Sequence, residues 1–329
     1  MGIRTTGALL ALATTLVLGI SESRAQTTTW HLPSGFSDEQ FVTKLNRTFA
    51  DEVAAKTNGA VKITIHSNSS LYKMADILPA VRGGQVQIGE IFLNTYVNDD
   101  PVFGVDTLPF LARGREEAWG LYQASKPHLE RRLADRGLRL LYSVPWPGQG
   151  FYSTEPLQTI EDLSGLKVRV GGALASELVV LLGSQPIVLP WTETPQAFLT
   201  GMVNALITSS STLDAKPWEW TKHYYTFNAW HPRNAVIVNE AAWAGLAPEH
   251  QQAILDIASE VEKQGWDEMQ RVDDESRAAL AQGGIVVEAP PAGLAEQISA
   301  IAKPIITEWA ERVGTEGVEI ISAYERLRQ

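Results

Sequence analysis

The sequence contains no cysteine among its 329 residues. A disulfide framework, a thiol nucleophile and a lipoprotein-type cysteine are therefore excluded. Beyond the N-terminal region, no apolar run approaches the length of about 18 residues that a membrane-spanning helix needs. We therefore expect a soluble mature protein without disulfide bonds.

Motifs for metal, nucleotide and covalent chemistry are also missing. The six histidines are isolated, with no HExxH motif and no pair at metal-ligand spacing. There is no GxSxG elbow and no Walker A loop, and Gly171-Gly172 lacks the rest of a GxGxxG fingerprint. The sequence thus predicts neither a metal site nor a cofactor, and it does not indicate an enzyme.

Basic residues are fewer than acidic ones. The 27 Lys and Arg against 38 Asp and Glu give a formal net charge of −11. An acidic protein is a poor partner for nucleic acids or anionic lipids, although a local positive pocket can still bind a small anion. We predict no nucleic-acid partner.

The N-terminus has the pattern of a secretory signal peptide. Arg4 precedes an uncharged apolar run over residues 8–20, and small residues lead to a cleavage site after Ala25. An exported protein without disulfides fits a bacterial periplasm. We therefore predict removal of residues 1–25 and a periplasmic location.

The remaining residues alternate short β runs with amphipathic helices, which indicates an α/β fold with two domains. The apolar run over 138–144 is typical of a buried parallel strand. The Pro and Gly cluster at 145–150 is the best domain boundary. Residues 248–282 keep a helical stripe without internal proline, which predicts a helix about 50 Å long that spans both domains.

The segment GLKVRV, residues 165–170, places Arg169 between two valines of a predicted strand. In an alternating strand, Lys167 and Arg169 can simply face water. Alternatively, Arg169 faces a cleft, where its guanidinium can bind a carboxylate through two parallel hydrogen bonds. The helix predicted after Gly171-Gly172 would offer free backbone N–H groups to the same anion.

Five segments together resemble the DctP-type substrate-binding subunits of tripartite ATP-independent periplasmic (TRAP) transporters. The resemblance covers essentially the whole mature chain. In order, the segments are LPAVRGGQVQIGEI, DTLPFLARGREEA, PLQTIEDLSGLKVRV, PWTETPQAFLTGMVNAL and WAGLAPEHQQAI.

The resemblance implies a two-lobed periplasmic binding protein fold with a ligand cleft between the lobes and a long helix bracing both. Lobe I would comprise residues 26–149 and about 239–265. Lobe II would comprise 150–238 and about 284–329, with the helix over 248–282 shared. It also implies that Arg169 binds the carboxylate of an organic acid, that TRAP membrane subunits receive the ligand, and that the protein is a monomer.

Two departures from the family pattern bear on the ligand. A second ligand-binding arginine, common upstream of the first, is absent, and Gln149 lies in that region. An asparagine that often touches ligand corresponds to Thr208, followed by Ser209 in a polar loop. A second anionic anchor for a dicarboxylate is therefore not expected.

Aromatic residues cluster near these departures, in a sequence with ten tryptophans. Core or hinge packing accounts for each one as well as ligand binding does, but together they favour a monocarboxylate with an aryl or branched apolar body over a C4-dicarboxylate. The candidate ligand-binding residues are Arg169, Gln149, Trp146, Phe151, Trp191, Glu193, Thr208, Ser209, Trp230 and His231.

Two other functions remain open from the sequence. An exported enzyme acting on organic acids would need a base near the bound carboxylate, and His231, Glu193 and Glu90 are the candidates. A receptor that reports to a membrane sensor would have the same sequence features as a transport receptor.

Overall fold

The computed structural model describes residue 2 and residues 27–328. Apart from Gly2, the predicted signal peptide lies outside the described residues. Within them, no helix is both long and apolar enough to cross a membrane.

Residues 27–328 form eleven strands in three sheets. In chain order the strands are β1 (Thr28–Pro33), β2 (Val61–His66), β3 (Ile88–Phe92), β4 (Leu138–Pro145), β5 (Gly150–Ser153), β6 (Lys167–Val170), β7 (Gln185–Val188), β8 (Ala205–Thr208), β9 (His223–Tyr225), β10 (Arg233–Asn239) and β11 (Val286–Glu288).

The same residues form nine α-helices, with several short 3-10 turns between them. The helices are α1 (Phe41–Lys56), α2 (Met74–Arg82), α3 (Arg115–Ala134), α4 (Ala173–Leu181), α5 (Thr194–Leu199), α6 (Glu240–Ala244), α7 (Pro248–Gln282), α8 (Leu294–Val313) and α9 (Thr315–Leu327).

The sheets divide the molecule into two lobes, which confirms the predicted two-lobed α/β fold. The first lobe holds the parallel pair β1-β2 and the sheet β3-β10-β4. The second holds a six-stranded mixed sheet in the order β11-β9-β5-β8-β6-β7. The chain crosses between the lobes from β4 to β5 and from β9 to β10, and these two crossings are hydrogen-bonded to each other, as in Gln149 N–H to Trp230 O (2.9 Å).

Helix α7 covers Pro248–Gln282, the same limits that its apolar stripe predicts. It packs on α1 and β4 of the first lobe and reaches β11 of the second. Ile254, Ile257 and Val261 lie in the first-lobe core, whereas Leu280 lies in the core of the second. The helix therefore braces both lobes, as predicted.

Strand β4 is buried, as its apolar run predicts, but the predicted parallel pairing is wrong. Its neighbour β10 runs antiparallel to it, with Ala235 opposite Ser143. An apolar run reports burial on both faces and carries no information about the direction of the neighbouring strand.

Two segments pack in a lobe other than the one that the predicted limits assign to them. Strand β10 belongs to the first-lobe sheet, although residues 233–238 fall within the limits of lobe II. The segment 101–107 packs against α4 and α8 of the second lobe, and Trp309 donates its indole N–H to the Pro101 carbonyl (2.7 Å). The lobe limits therefore stay a prediction, and they differ from the observed packing at these two segments.

Candidate functional site

Arg169 lies in the middle of β6, in the second-lobe sheet. Lys167 at the start of the strand is exposed, but Arg169 is only 9% exposed. It pairs with Ile187 on β7 and with Leu206 on β8, so its side chain shares their face of the sheet. The alternative in which Arg169 is a solvated strand residue does not fit this burial.

The Arg169 guanidinium is held by backbone and by an aromatic ring. Its Nε and Nη2 donate to the Leu189 carbonyl, at 3.3 and 3.1 Å. Its Cζ lies 5.7 Å from the ring centroid of Trp191, within cation–π range. These two hydrogen bonds use two of five N–H donors, so Nη1 remains free to bind an anion.

No carboxylate of the described residues pairs with Arg169 within 4.0 Å. Burial lowers the pKa of Arg169 to about 10, so it remains charged at neutral pH. A buried charge without a counter-ion is costly, and a bound anion would offset that cost. The site is therefore electrostatically suited to a ligand carboxylate.

The chain turns directly after β6 and enters α4. Gly171 is exposed and Gly172 is the N-cap of the helix, without a side-chain cap. Asn94, which follows β3 of the first lobe, donates its side-chain amide to the Gly171 carbonyl (3.3 Å). The end of a first-lobe strand thus touches the end of the Arg169 strand.

Aromatic side chains form a cluster around Trp146 in the first lobe. The Trp146 ring lies 4.9 Å from Phe36 and 5.2 Å from Phe41 by ring centroids, and Phe36 packs edge-on against Phe92. Trp146 donates its indole N–H to Asn234 Oδ1 (2.8 Å). Trp146 therefore belongs to a first-lobe aromatic cluster, with Phe36 and Phe92 half-buried at its edge.

Glu90 is linked to this cluster through Asn234 and is 3% exposed. Its carboxyl accepts hydrogen bonds from the Ser34 hydroxyl and from Asn234 Nδ2, the latter at 2.8 Å. Burial raises the pKa of Glu90, and these hydrogen bonds oppose the rise. Both carboxyl oxygens thus accept hydrogen bonds from first-lobe side chains.

Three of the candidate residues lie around a different cavity. Gln149, Phe151 and Trp230 line an apolar cavity of about 20 Å³, which is too small for an organic acid and holds at most about one water molecule. Phe151 pairs with Ile207, whereas Tyr152 pairs with Leu206 on the Arg169 face. Phe151 therefore points to the opposite face of the sheet from Arg169.

His231 is fully engaged by the backbone at the crossing between the lobes. Its Nδ1 donates to the Trp146 carbonyl (3.2 Å) and its Nε2 accepts the Gly114 N–H (3.1 Å). Burial lowers the pKa of His231 to about 4, so the ring is neutral at pH 7. The structure gives His231 a structural position rather than a free ring nitrogen in the cleft.

The other candidates lie on the Arg169 side of the sheet or at its rim. Thr208, two residues after Leu206 on β8, is half-buried on the same face as Arg169. Ser209 is buried and bonds Ser211 through their hydroxyls (2.9 Å). Glu193 is exposed, on the turn that carries Trp191.

The structure therefore places Trp191 against Arg169 and Thr208 on the same face of the sheet. Sequence reasoning missed Asn94 and the Leu189 carbonyl, which contact the Arg169 segment. Asn94 is the first polar residue after strand β3, and a polar residue at a strand end is the signal that could have found it. Among the described residues, no group of three His, Asp or Glu side chains could hold a metal ion.

Comparison with known proteins gives consistent matches along the chain. Residues 34–312 match DctP, the bacterial extracellular solute-binding protein family 7. The C4-dicarboxylate-binding periplasmic protein DctP of Rhodobacter capsulatus is 27% identical over 288 residues, which is 83% of this chain and 84% of that protein.

Two solved structures are more similar in sequence. The Bordetella pertussis receptor DctP6, which binds pyroglutamic acid, is 37% identical with a TM-score of 0.88, over 91% of this chain and 100% of that one. A marine metagenome TRAP solute-binding protein in complex with pyroglutamate is 34% identical with a TM-score of 0.86, over 92% and 99% of the two chains.

Proposed function

The chain belongs to the DctP family of bacterial extracellular solute-binding proteins, and from that premise we propose that it is a periplasmic receptor for a small monocarboxylate. It would bind the ligand between its lobes and deliver it to the membrane subunits of a TRAP transporter. One observation carries the proposal: Arg169 is a buried guanidinium with free donors and no carboxylate partner within the described residues.

The ligand proposed first is pyroglutamate or a close analogue. The solved receptors that are 34–37% identical to this chain bind pyroglutamic acid or pyroglutamate. Pyroglutamate has one carboxylate, which the buried guanidinium of Arg169 could pair with. Its compact ring also needs less space than the aryl body considered from the sequence. We expect Trp191, which packs on the guanidinium, and Thr208, on the same face of the sheet, to contact it.

The region of the second family arginine also supports a monoanion over a dicarboxylate. Gln149 lies there, and its side-chain amide donates to the Pro147 carbonyl (3.2 Å). A second ligand carboxylate would therefore lack a cation in this region, and a desolvated negative charge without one is costly.

Thermal unfolding of residues 26–329 tests the proposal. The panel is pyroglutamate, an aryl 2-oxo acid, a branched 2-oxo acid and succinate. A ligand at 100 times its Kd adds about 2.7 kcal/mol, and each kcal/mol moves Tm by roughly 2–4 °C for a domain of this size. We expect pyroglutamate to raise Tm by several degrees and succinate to have little effect.

Two variants distinguish the loss of the binding site from the general effect of removing one positive charge. Arg169→Met removes the guanidinium with little loss of volume and should abolish the shift. Arg47→Met is the matched control, because Arg47, on α1, forms an exposed ion pair with Asp38. Binding by Arg169→Met at parental affinity, or succinate binding above all other acids, would contradict the proposal. Recovery of the bound ligand unchanged is expected of a receptor.

A further inference from the structure

Two histidines meet on the parallel strand pair of the first lobe. The Nδ1 atom of His31 lies 2.9 Å from the Nε2 atom of His66, and the centroids of the two rings are 5.1 Å apart. The two residues are 35 positions apart in the sequence, so no local spacing indicates the pair. They come together because β1 and β2 are hydrogen-bonded neighbours.

The register of these strands places both rings on one face. His31 is opposite Thr64, and His66 is two residues further along β2, so the three side chains point the same way. Trp30 and Leu32 point the other way, into the first-lobe core. His31 is exposed and His66 is half-buried. A small ion in the solvent can therefore reach the facing nitrogens.

The backbone beside each ring is fixed by a hydrogen bond. His31 donates its backbone N–H to Gln87 Oε1 (3.2 Å), and the His66 carbonyl accepts the Ser34 N–H (2.9 Å). Neither imidazole has a carboxylate of the described residues within 4.0 Å. Because one ring nitrogen must accept the hydrogen bond between the rings, at least one imidazole presents a lone pair there.

The distance between the two nitrogens suits a cation that takes neighbouring ligands at right angles. Bonds of about 2.0–2.1 Å from a metal to imidazole place two nitrogens about 2.9 Å apart at about 90°, and about 3.3 Å apart at the tetrahedral angle. The observed 2.9 Å matches the right angle. Square-planar or tetragonal nitrogen coordination is typical of Cu²⁺ and Ni²⁺, whereas Zn²⁺ favours a tetrahedron.

We propose that His31 Nδ1 and His66 Nε2 form a binding site for Cu²⁺ or Ni²⁺, with water in the remaining coordination positions. A small rotation of the exposed His31 ring aims both lone pairs at one point. The ring that donates the hydrogen bond then carries its proton on its other nitrogen, so both facing nitrogens become ligands. The net charge of −11 also favours a cation.

Calorimetric titration of residues 26–329 with CuCl₂ and with NiCl₂ tests the site, together with electron paramagnetic resonance of the Cu²⁺ form. We expect one Cu²⁺ per chain, with splitting from two imidazole nitrogens, and weaker binding of Ni²⁺. His31→Gln and His66→Gln should each lower the affinity for Cu²⁺ by at least about tenfold, the least that loss of even an outer-shell partner costs.

His250→Gln is the matched control, because His250 lies in the first turn of α7 and should leave the affinity for Cu²⁺ unchanged. Tm without metal should be the same for all these variants and the parent. Parental affinity for Cu²⁺ in the double variant His31→Gln, His66→Gln would overturn the site. A resonance spectrum of the parent without splitting from two nitrogens would also overturn it, whether or not the variants fold.

Discussion

The indole ring of Trp191 lies over the guanidinium of Arg169, with 5.7 Å between the ring centroid and Cζ. Trp191 is half-buried and follows the Leu189 carbonyl that accepts both Arg169 hydrogen bonds. The segment 189–191 therefore holds the guanidinium from two sides. A flat ring on one face leaves the edge of the guanidinium available to a carboxylate.

Trp191→Leu should weaken pyroglutamate binding by about threefold to tenfold, because a cation–π contact is worth roughly 0.5–2 kcal/mol. Ligand binding should also change the tryptophan fluorescence of the parent more than that of the variant. Trp119→Leu, at an exposed tryptophan of α3, is the control and should bind normally. Equal affinities for the parent and Trp191→Leu would contradict the assigned role of the ring.

The pH dependence of stability should report His231. Its pKa in the folded protein, about 4, is below the ordinary value of 6.5, so between these values the unfolded chain binds a proton that the folded protein does not. The free energy of unfolding contributed by this group is therefore complete above about pH 6.5 and lost as pH falls towards 4. The loss should be on the order of 3 kcal/mol.

A difference measurement is needed because Asp106 titrates in the same range with the opposite sign. Burial raises its pKa to about 6, so the folded protein binds the extra proton below that pH. His231→Gln keeps a donor and an acceptor but does not titrate. In urea unfolding from pH 7 to pH 4, the free energy of unfolding of the parent should fall relative to that of this variant. Parallel pH profiles of the two free energies would argue against a buried neutral histidine.

The sequence predicts those parts of the structure that local pattern determines. The limits of α7 follow from its unbroken apolar stripe, and the strand position of Arg169 follows from its flanking valines. Strand alternation also shows that Phe151 and Tyr152 cannot both face the cleft, a constraint that a simple grouping of aromatic residues overlooks.

Other parts of the site depend on contacts between distant segments. Asn94 reaches Gly171 across 77 positions of sequence, and the Leu189 acceptor is a backbone carbonyl without any side-chain signature. Likewise, the engagement of His231 by Trp146 and Gly114 follows from the paired lobe crossings. Such contacts become visible only after the lobes are assembled.

The buried pair of Asp106 and Arg233 should be sensitive to loss of one partner. Asp106 Oδ2 accepts the Arg233 backbone N–H (2.8 Å) and its Nε (3.3 Å), and both side chains are almost completely buried. Arg233→Met leaves the carboxyl without its cation and should lower the free energy of unfolding by about 3–5 kcal/mol.

Replacing both partners should cost less than replacing one. The double variant Asp106→Asn, Arg233→Met removes both charges, and such replacements are often close to neutral. Urea unfolding of the two single variants and the double variant gives the coupling energy directly. If the single and double losses were additive, the two side chains would not act as a pair.

Close packing of α7 on β4 predicts opposite effects of the same substitution at two helical glycines. A Cβ on Gly265 would lie 2.7 Å from both γ-methyl groups of Val144, which belongs to β4. Gly265→Ala therefore forces α7 away from the first-lobe sheet. Overpacking costs about 1–3 kcal/mol, against a gain of about 1 kcal/mol in helix propensity.

Gly120 of α3 has the same helical environment without the steric conflict, since its nearest neighbour to a Cβ is Tyr324 at 3.6 Å. Gly120→Ala should raise the urea midpoint, whereas Gly265→Ala should lower it. Because α7 contacts both lobes, its displacement would change the relative position of the lobes. The Gly265 variant should therefore also bind pyroglutamate more weakly. Stabilisation by both substitutions would mean that Val144 and α7 adjust freely, and that the helix does not fix the first lobe.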